Sequence, residues 1–284
     1  MLVNKLSLFL SYCRSECSFS HHTCKAYETD LNQFFLLVNT IDQTSLSVYY
    51  HWLYQQSYAP KTIARKLATL RSFCQFCIHE GFCDSRLLLD IPRYDVPVRL
   101  PRVLALDDID ALLNLPDLST FKGLRDRVLL ELLYSTGVRV SECIQLKINH
   151  IDLEDGVITI LGKGDKQRLI PLTKRSQRFL SLYLSVCNTQ QWLFYLVDNK
   201  PFSRFTVYSI VKRYASKIFS ESNSISPHSF RHAFATHLLE GGARLRDVQL
   251  LLGHQQLSSS QVYSHVARQA IKDTYLQAHP RGTR

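Results

Sequence analysis

Three prolines fall within ten residues of the stretch DIPRYDVPVRLPRVL, at Pro92, Pro97 and Pro101. Proline withholds a backbone donor and pushes the residue before it out of helical geometry. Neither a helix nor a central strand runs through such a stretch, so it predicts an extended linker over residues 91–103. The 284 residues are thereby divided into two pieces of domain size, 1–90 and 104–284. Charge changes at the same place. Residues 1–90 hold 8 basic and 7 acidic side chains, whereas the rest hold 26 and 17, so most of the formal charge of +10 lies after the linker. Such a balance suits a polyanionic partner, although net charge by itself is equally met by a generic basic surface.

Other classes are disfavoured. No apolar run approaches the roughly 20 residues that span a bilayer. The N-terminal MLVNKLSLFLSYCRSECS lacks a long apolar region and a small-residue cleavage site, so it reads as a helix and the chain as cytoplasmic. Eight scattered cysteines then read as free thiols. Cys74 and Cys77 form a CxxC pair near His79. With Cys13, Cys17, His21 and His22 they supply the residue types of a zinc site. LRSFCQFCIHEGF, however, has the spacing of one buried helix face, and we read these cysteines as core residues.

The first domain reads as four helices. Ser20 is placed to cap HHTCKAYETDLNQFFLLVN, in which Tyr27, Leu31, Phe34 and Phe35 form one stripe. APKTIARKLATLRSFCQFCIHEG opens on Pro60 and closes on Gly81. Its basic residues Lys61, Arg65, Lys66 and Arg71 are candidates for a face laid along DNA phosphates, against the plainer reading of a solvated helix face. Beyond the linker the pattern stays mainly helical. Gly137 is a candidate C-cap, GKGDKQ marks a hairpin between two β-rich runs, and QWLFYLV is a candidate strand. The predicted fold class is thus mainly α: a helical bundle, then a mostly α domain with a small antiparallel sheet.

Several basic residues sit at helix starts and tight turns instead of along exposed faces. Arg139 follows Gly137, Lys163 lies in the hairpin turn, His228 and Arg231 share a face three residues apart, and His254 follows Gly253. Tyr263 comes nine residues later, on a predicted short helix. Taken singly, each has an ordinary structural role. Arg139 would cap a helix or pair with Glu142, Lys163 would be a solvated turn residue, and Tyr263 would be one of 14 tyrosines. Gathered together, two guanidiniums, a lysine and two histidines suit one phosphate. His232 and His237 are assigned to structure, and Tyr183 and Tyr275 to the core.

The blocks STGVRVSECIQL, GKGDKQRLIPL, HSFRHAFATHLLEGG and LLGHQQLSSSQVYSHV resemble, in order and spacing, the four signature blocks of the tyrosine site-specific recombinases, the phage-integrase family, and most closely its bacterial Xer members. TCKAYETDLNQF and KTIARKLATLRSFCQF resemble that family's SAM-like core-binding domain, so the likeness covers nearly the whole chain. The resemblance implies a C-shaped clamp on duplex DNA and a catalytic domain over 104–284. It assigns Arg139 and Arg231 to the scissile phosphate, Lys163 to protonation of the leaving 5′ oxygen, His228 to the attacking phenol, His254 to a phosphate oxygen and Tyr263 to nucleophilic attack. Neither a cofactor nor a metal is implied. The expected assembly is a tetramer on two DNA sites, of this chain alone or with a second Xer-type recombinase. The expected task is resolution of chromosome dimers under a division-associated (FtsK-like) translocase. The tail ARQAIKDTYLQAHPRGTR is expected to dock on a neighbouring protomer. A mobile-element integrase, a topoisomerase-like enzyme and a non-cleaving DNA-binding relative are the rivals.

Overall fold

The computed structural model describes residues 2–17, 19–88, 91, 92, 94, 103–162, 167–188, 191–196, 199–220, 225–253 and 265–282. The chain divides into two compact units, Met1–Arg99 and Leu100–Arg284. No helix among the described residues is long and apolar enough to cross a membrane.

The first unit holds α1 (Leu2–Ser15), α2 (His21–Leu37), α3 (Gln43–Gln55) and α4 (Pro60–His79). Ser20 caps α2, its hydroxyl accepting from the Thr23 amide at 3.1 Å, and Asp42 caps α3 through the Ser45 amide at 2.8 Å. Pro60 opens α4, where a missing N–H costs no hydrogen bond. Phe9 meets Phe73 edge-on at 5.3 Å and Phe34 meets Tyr49 at 5.0 Å, so the aromatic stripe of α2 lies in the core. Cys74 and Cys77 are fully buried in the same core, and burial pushes each thiol up to about 12.

The second unit is built around α6 (Phe121–Thr136), which packs against α5 (Leu106–Asn114), α8 (Lys174–Ser185) and α10 (Pro227–Glu240). Every residue of α6 from Asp126 to Thr136 is buried, which is the signature of a helix enclosed on all sides. Gly137 ends it in left-handed geometry, φ 58°, and a Cβ there would lie 2.4 Å from the Phe234 ring. The expected C-cap is therefore also a packing requirement. The short α7 (Val140–Cys143) follows. Then comes an antiparallel sheet of β1 (Ile151–Asp152), β2 (Val157–Leu161) and β3 (Gln167–Pro171), with Ile158 opposite Ile170 and Ile160 opposite Arg168. After α9 (Arg204–Ala215) and α10 come α11 (Leu245–Leu252) and α12 (His265–Ala278).

One expectation is corrected. Among its described residues, 191–196, QWLFYLV forms no strand. Leu193 and Phe194 are buried, but the segment pairs only by single bridges, Lys147 with Trp192 and Tyr195 with Pro201. Burial accounts for Leu193 and Phe194, and among the described residues no strand runs alongside to make a ladder. The described part of the tail has contacts within this chain's second unit. Tyr275 is fully buried and donates to the Ser135 carbonyl at 2.8 Å, while Arg281 reaches both Glu131 oxygens at 3.0 and 3.2 Å and pairs with Asp110. The helix predicted over SSSQVYSHV lies outside the described residues apart from its last two, which begin α12.

Candidate active site

The second unit brings Arg139 and Arg231 to one point. Arg139 is the residue before α7, held in extended geometry by the left-handed turn at Gly137. Arg231 lies one turn into α10, which starts at Pro227. Both guanidiniums aim at the C-terminal end of α11. Arg231 donates to the Leu252 carbonyl at 2.8 Å and Arg139 to the same oxygen at 3.4 Å, while Arg231 also donates to the Gly137 carbonyl. The last carbonyls of a helix lack intrahelical partners and carry partial negative charge, so they are suitable anchors for cations. Gly253 ends α11 in left-handed geometry at φ 67°.

Glu142 lies beneath this pair. One carboxylate oxygen accepts from the Arg139 guanidinium at 3.0 Å and the other from the Arg139 amide at 2.8 Å. The pairing of Arg139 with Glu142 is thus an orienting contact. A third cation was not foreseen. Arg168, on β3, grips Glu142 with two bonds of 2.9 and 2.8 Å, and its Nε donates to the Leu251 carbonyl at 2.9 Å. It shares the inward face of β3 with Ile170, and a charge at such an alternating position was the available signal.

The electrostatics follow from this crowding. Burial pushes Glu142 up, but bonds from Arg168 and Arg139 outweigh it and hold the carboxyl below its ordinary value. Burial, aided by Arg139 and Arg168, brings Arg231 down to about 10, still charged at neutral pH. Three guanidiniums against one carboxylate leave a net positive, preorganised cluster. Arg139 and Arg231 remain partly open to solvent, whereas Arg168 is buried. Such a cluster suits an anion with at least two oxygens, and above all a phosphodiester whose charge grows in a pentacoordinate transition state.

His228 is exposed in the first turn of α10, on the face that carries Arg231. Lys163, His254 and Tyr263 lie outside the described residues. His237 is buried with its ring 3.0 Å from the Tyr134 hydroxyl, and Tyr183 is fully buried, donating to the Leu193 carbonyl at 2.9 Å.

The basic face of α4 needs correction. Lys66 is buried, its ammonium 3.0 Å from Asp30 and bonded also to Gln33. Arg65 pairs with the same Asp30 but stays half exposed, and Arg71 donates to the Ile91 carbonyl. Helical spacing placed these residues correctly in sequence, but Asp30 on α2, buried by the packing, draws Lys66 inward. Lys61 is exposed. No group of three His, Cys, Asp or Glu among the described residues is arranged to hold a metal ion.

Comparison with known proteins bears on the whole chain. Residues 102–270 match the model of the phage integrase family, and residues 6–81 match the phage integrase N-terminal SAM-like domain. The chain is 38% identical over 290 residues to tyrosine recombinase XerD of Staphylococcus aureus, covering 96% of this chain and 97% of that one. It is 42% identical over 256 residues to tyrosine recombinase XerD of Xanthomonas campestris pv. campestris, covering 85% and 79%. Its fold is similar to that of a lambda integrase tetramer bound to a Holliday junction, with a TM-score of 0.69 at 15% identity over 92% of this chain and 80% of that one.

Proposed function

Because the chain belongs to the phage integrase family, as a site-specific tyrosine recombinase that breaks and rejoins DNA, we propose that Arg139, Lys163, His228, Arg231, His254 and Tyr263 are its catalytic set. The observation that carries this reading is the meeting of Arg139 and Arg231 at the Leu252 carbonyl, with Glu142 fixing the first. Two guanidiniums 92 positions apart in sequence have no structural need to share an acceptor. A scissile phosphate does need two forks on its non-bridging oxygens.

In this mechanism the Tyr263 phenolic oxygen attacks phosphorus, and the bond from phosphorus to the 5′ oxygen breaks. The products are a 3′-phosphotyrosine and a free 5′ hydroxyl. The phenol, with an ordinary pKa of about 10, passes its proton to His228, and Lys163 delivers one to the leaving oxygen. His254 donates to a phosphate oxygen. Arg139 and Arg231 stabilise the extra negative charge of the transition state. The reverse reaction with another strand's 5′ hydroxyl rejoins DNA, and the phosphotyrosine bond conserves the energy it needs. The chain's own residues therefore supply every proton and charge the transesterification requires.

Duplex DNA is the substrate in this proposal, with both units on it. Lys61 and Arg65 of α4 supply phosphate contacts from the first unit. Four protomers, either identical or shared with a second Xer-type recombinase, exchange strands on two sites through a Holliday junction. The biological task is resolution of chromosome dimers in the cytoplasm, gated by a division-associated (FtsK-like) DNA translocase. The likeness to two XerD proteins supports this task over that of a mobile-element integrase. Incubation with a nicked suicide substrate tests the chemistry. A denaturant-resistant protein–DNA adduct that disappears in Tyr263→Phe supports the reading, and an adduct from Tyr263→Phe overturns it.

A further inference from the structure

We propose that Arg168 is a positioning residue for DNA cleavage, acting through Glu142 on Arg139. The inference rests on the recombinase reading above and extends it to a side chain outside the catalytic set.

Arg168 is 7% exposed and Glu142 is 7% exposed, so their fork-to-fork pair is withdrawn from water. A buried pair of this kind is a weak source of stability, because desolvation offsets its Coulomb energy. Its geometry is its distinguishing property. Each Glu142 oxygen accepts one bond from Arg168 and one from Arg139, so all four bonds constrain a single carboxylate. With Arg168 in place, Glu142 cannot turn about its last bond, and the Arg139 amide and guanidinium are both held. The third bond, from Arg168 Nε to the Leu251 carbonyl, ties β3 to the end of α11. The next carbonyl, that of Leu252, receives Arg139 and Arg231. One buried guanidinium thus fixes both supports of the arginine pair: the carboxylate beneath Arg139 and the helix end in front of it. There is little room to spare, since a Cβ on Gly253 would stand 3.0 Å from an Arg168 nitrogen.

Lysine at this position keeps the charge but has no fork and no Nε donor. It can hold one Glu142 oxygen or the Leu251 carbonyl, not all three acceptors. Misplacement of a charge-stabilising group by a fraction of an ångström costs reaction rate more than it costs binding.

The test measures single-turnover cleavage by Arg168→Lys on two suicide substrates, one with oxygen and one with sulfur at the scissile 5′ bridge. Sulfur leaves without protonation, so it removes the need for Lys163 and isolates the phosphate clamp. The expected result is a cooperative melt, DNA affinity within about twofold of the parent, and cleavage of both substrates slowed by about ten- to a hundredfold. In an Arg139→Lys background the same substitution is expected to add less than about threefold, as interacting residues are non-additive. An unchanged rate overturns the proposal. Recovery on the sulfur substrate alone overturns it too, because Arg168 would then serve Lys163 and not the phosphate clamp. So does an undiminished effect in the Arg139→Lys background. If Arg168→Lys does not melt cooperatively, the uncharged pair Arg168→Met with Glu142→Gln takes its place, with the same loss expected and a parental rate contradicting. Failure of the parent protein to form an adduct would count against the recombinase reading and not against this step.

Discussion

Arg231 and Arg139 share the Leu252 carbonyl, at 2.8 and 3.4 Å, although one lies in α10 and the other just before α7. The shared acceptor makes the end of α11 a jig for the pair. It also explains why the first turn of α10 is so basic while the remainder of that helix, with Phe230, Ala233, Phe234 and Leu238 buried, belongs to the core. One helix supplies both a rigid base and a charged tip.

The two histidines of α10 should separate by phenotype. His228 is exposed and His237 is buried against Tyr134. His228→Ala is expected to leave the thermal midpoint unchanged and to slow cleavage by about a hundredfold, the usual loss of a general base. His237→Ala is expected to lower stability by about 2 kcal/mol, through lost packing and an unpaired Tyr134 hydroxyl, with the folded fraction cleaving normally. Parallel melting curves and single-turnover assays check both.

The pH dependence of stability should report Glu142. Its folded carboxyl is held below the ordinary value of 4.5 by Arg168 and Arg139. A carboxyl lowered in this way contributes stability that is fully present above the unfolded value and is lost as pH falls through the folded one. The stability gap between the parent and Glu142→Gln should therefore be flat from neutral pH to about pH 5 and shrink below it. Urea titrations of both proteins from pH 3 to 7 measure the gap, and a gap independent of pH would contradict the assignment.

The tail should be held in place by charge. Arg281, 5% exposed, is the partner of Glu131, 1% exposed. Arg281→Ala leaves Glu131 paired with Arg127, and a loss of about 3 kcal/mol is expected, as for other broken buried pairs. Denaturant unfolding gives the size of the effect, and hydrogen exchange at residues 270–282 shows whether it is local.

On α4 the neighbours Lys61 and Lys66 should behave oppositely. Lys61→Ala is expected to weaken DNA binding uniformly across sequences and to reduce the salt slope by about one. Lys66→Ala should leave the salt slope alone and destabilise the first unit by about 3 kcal/mol, because Asp30 loses a buried partner. Binding isotherms over a range of salt concentrations, set beside melts of the full chain, distinguish the two.

Local signals were legible where one residue's covalent chemistry decides the outcome. Ser20 caps α2, Pro60 opens α4 and Gly137 closes α6 as read from the chain, because each needs only its near neighbours. Signals that depend on a partner distant in sequence were not. Lys66 faces inward because Asp30, 36 positions away, is buried there. In QWLFYLV Leu193 and Phe194 are apolar because they are buried, and apolar content alone does not supply a pairing strand. Arg168 escaped notice although its place on the inward face of β3 was readable, since its importance comes from Glu142 and Leu251 together.

The central claim is that Tyr263 makes the bond to DNA, and the site of attachment is the most direct measure of it. Trypsin should release residues 247–268 as one peptide in which Tyr263 is the single tyrosine. Mass spectrometry of the trapped and nuclease-trimmed adduct is predicted to find the 3′-linked nucleotide on that peptide alone. A nucleotide on any other peptide, Tyr275 or Tyr183 included, would contradict the account.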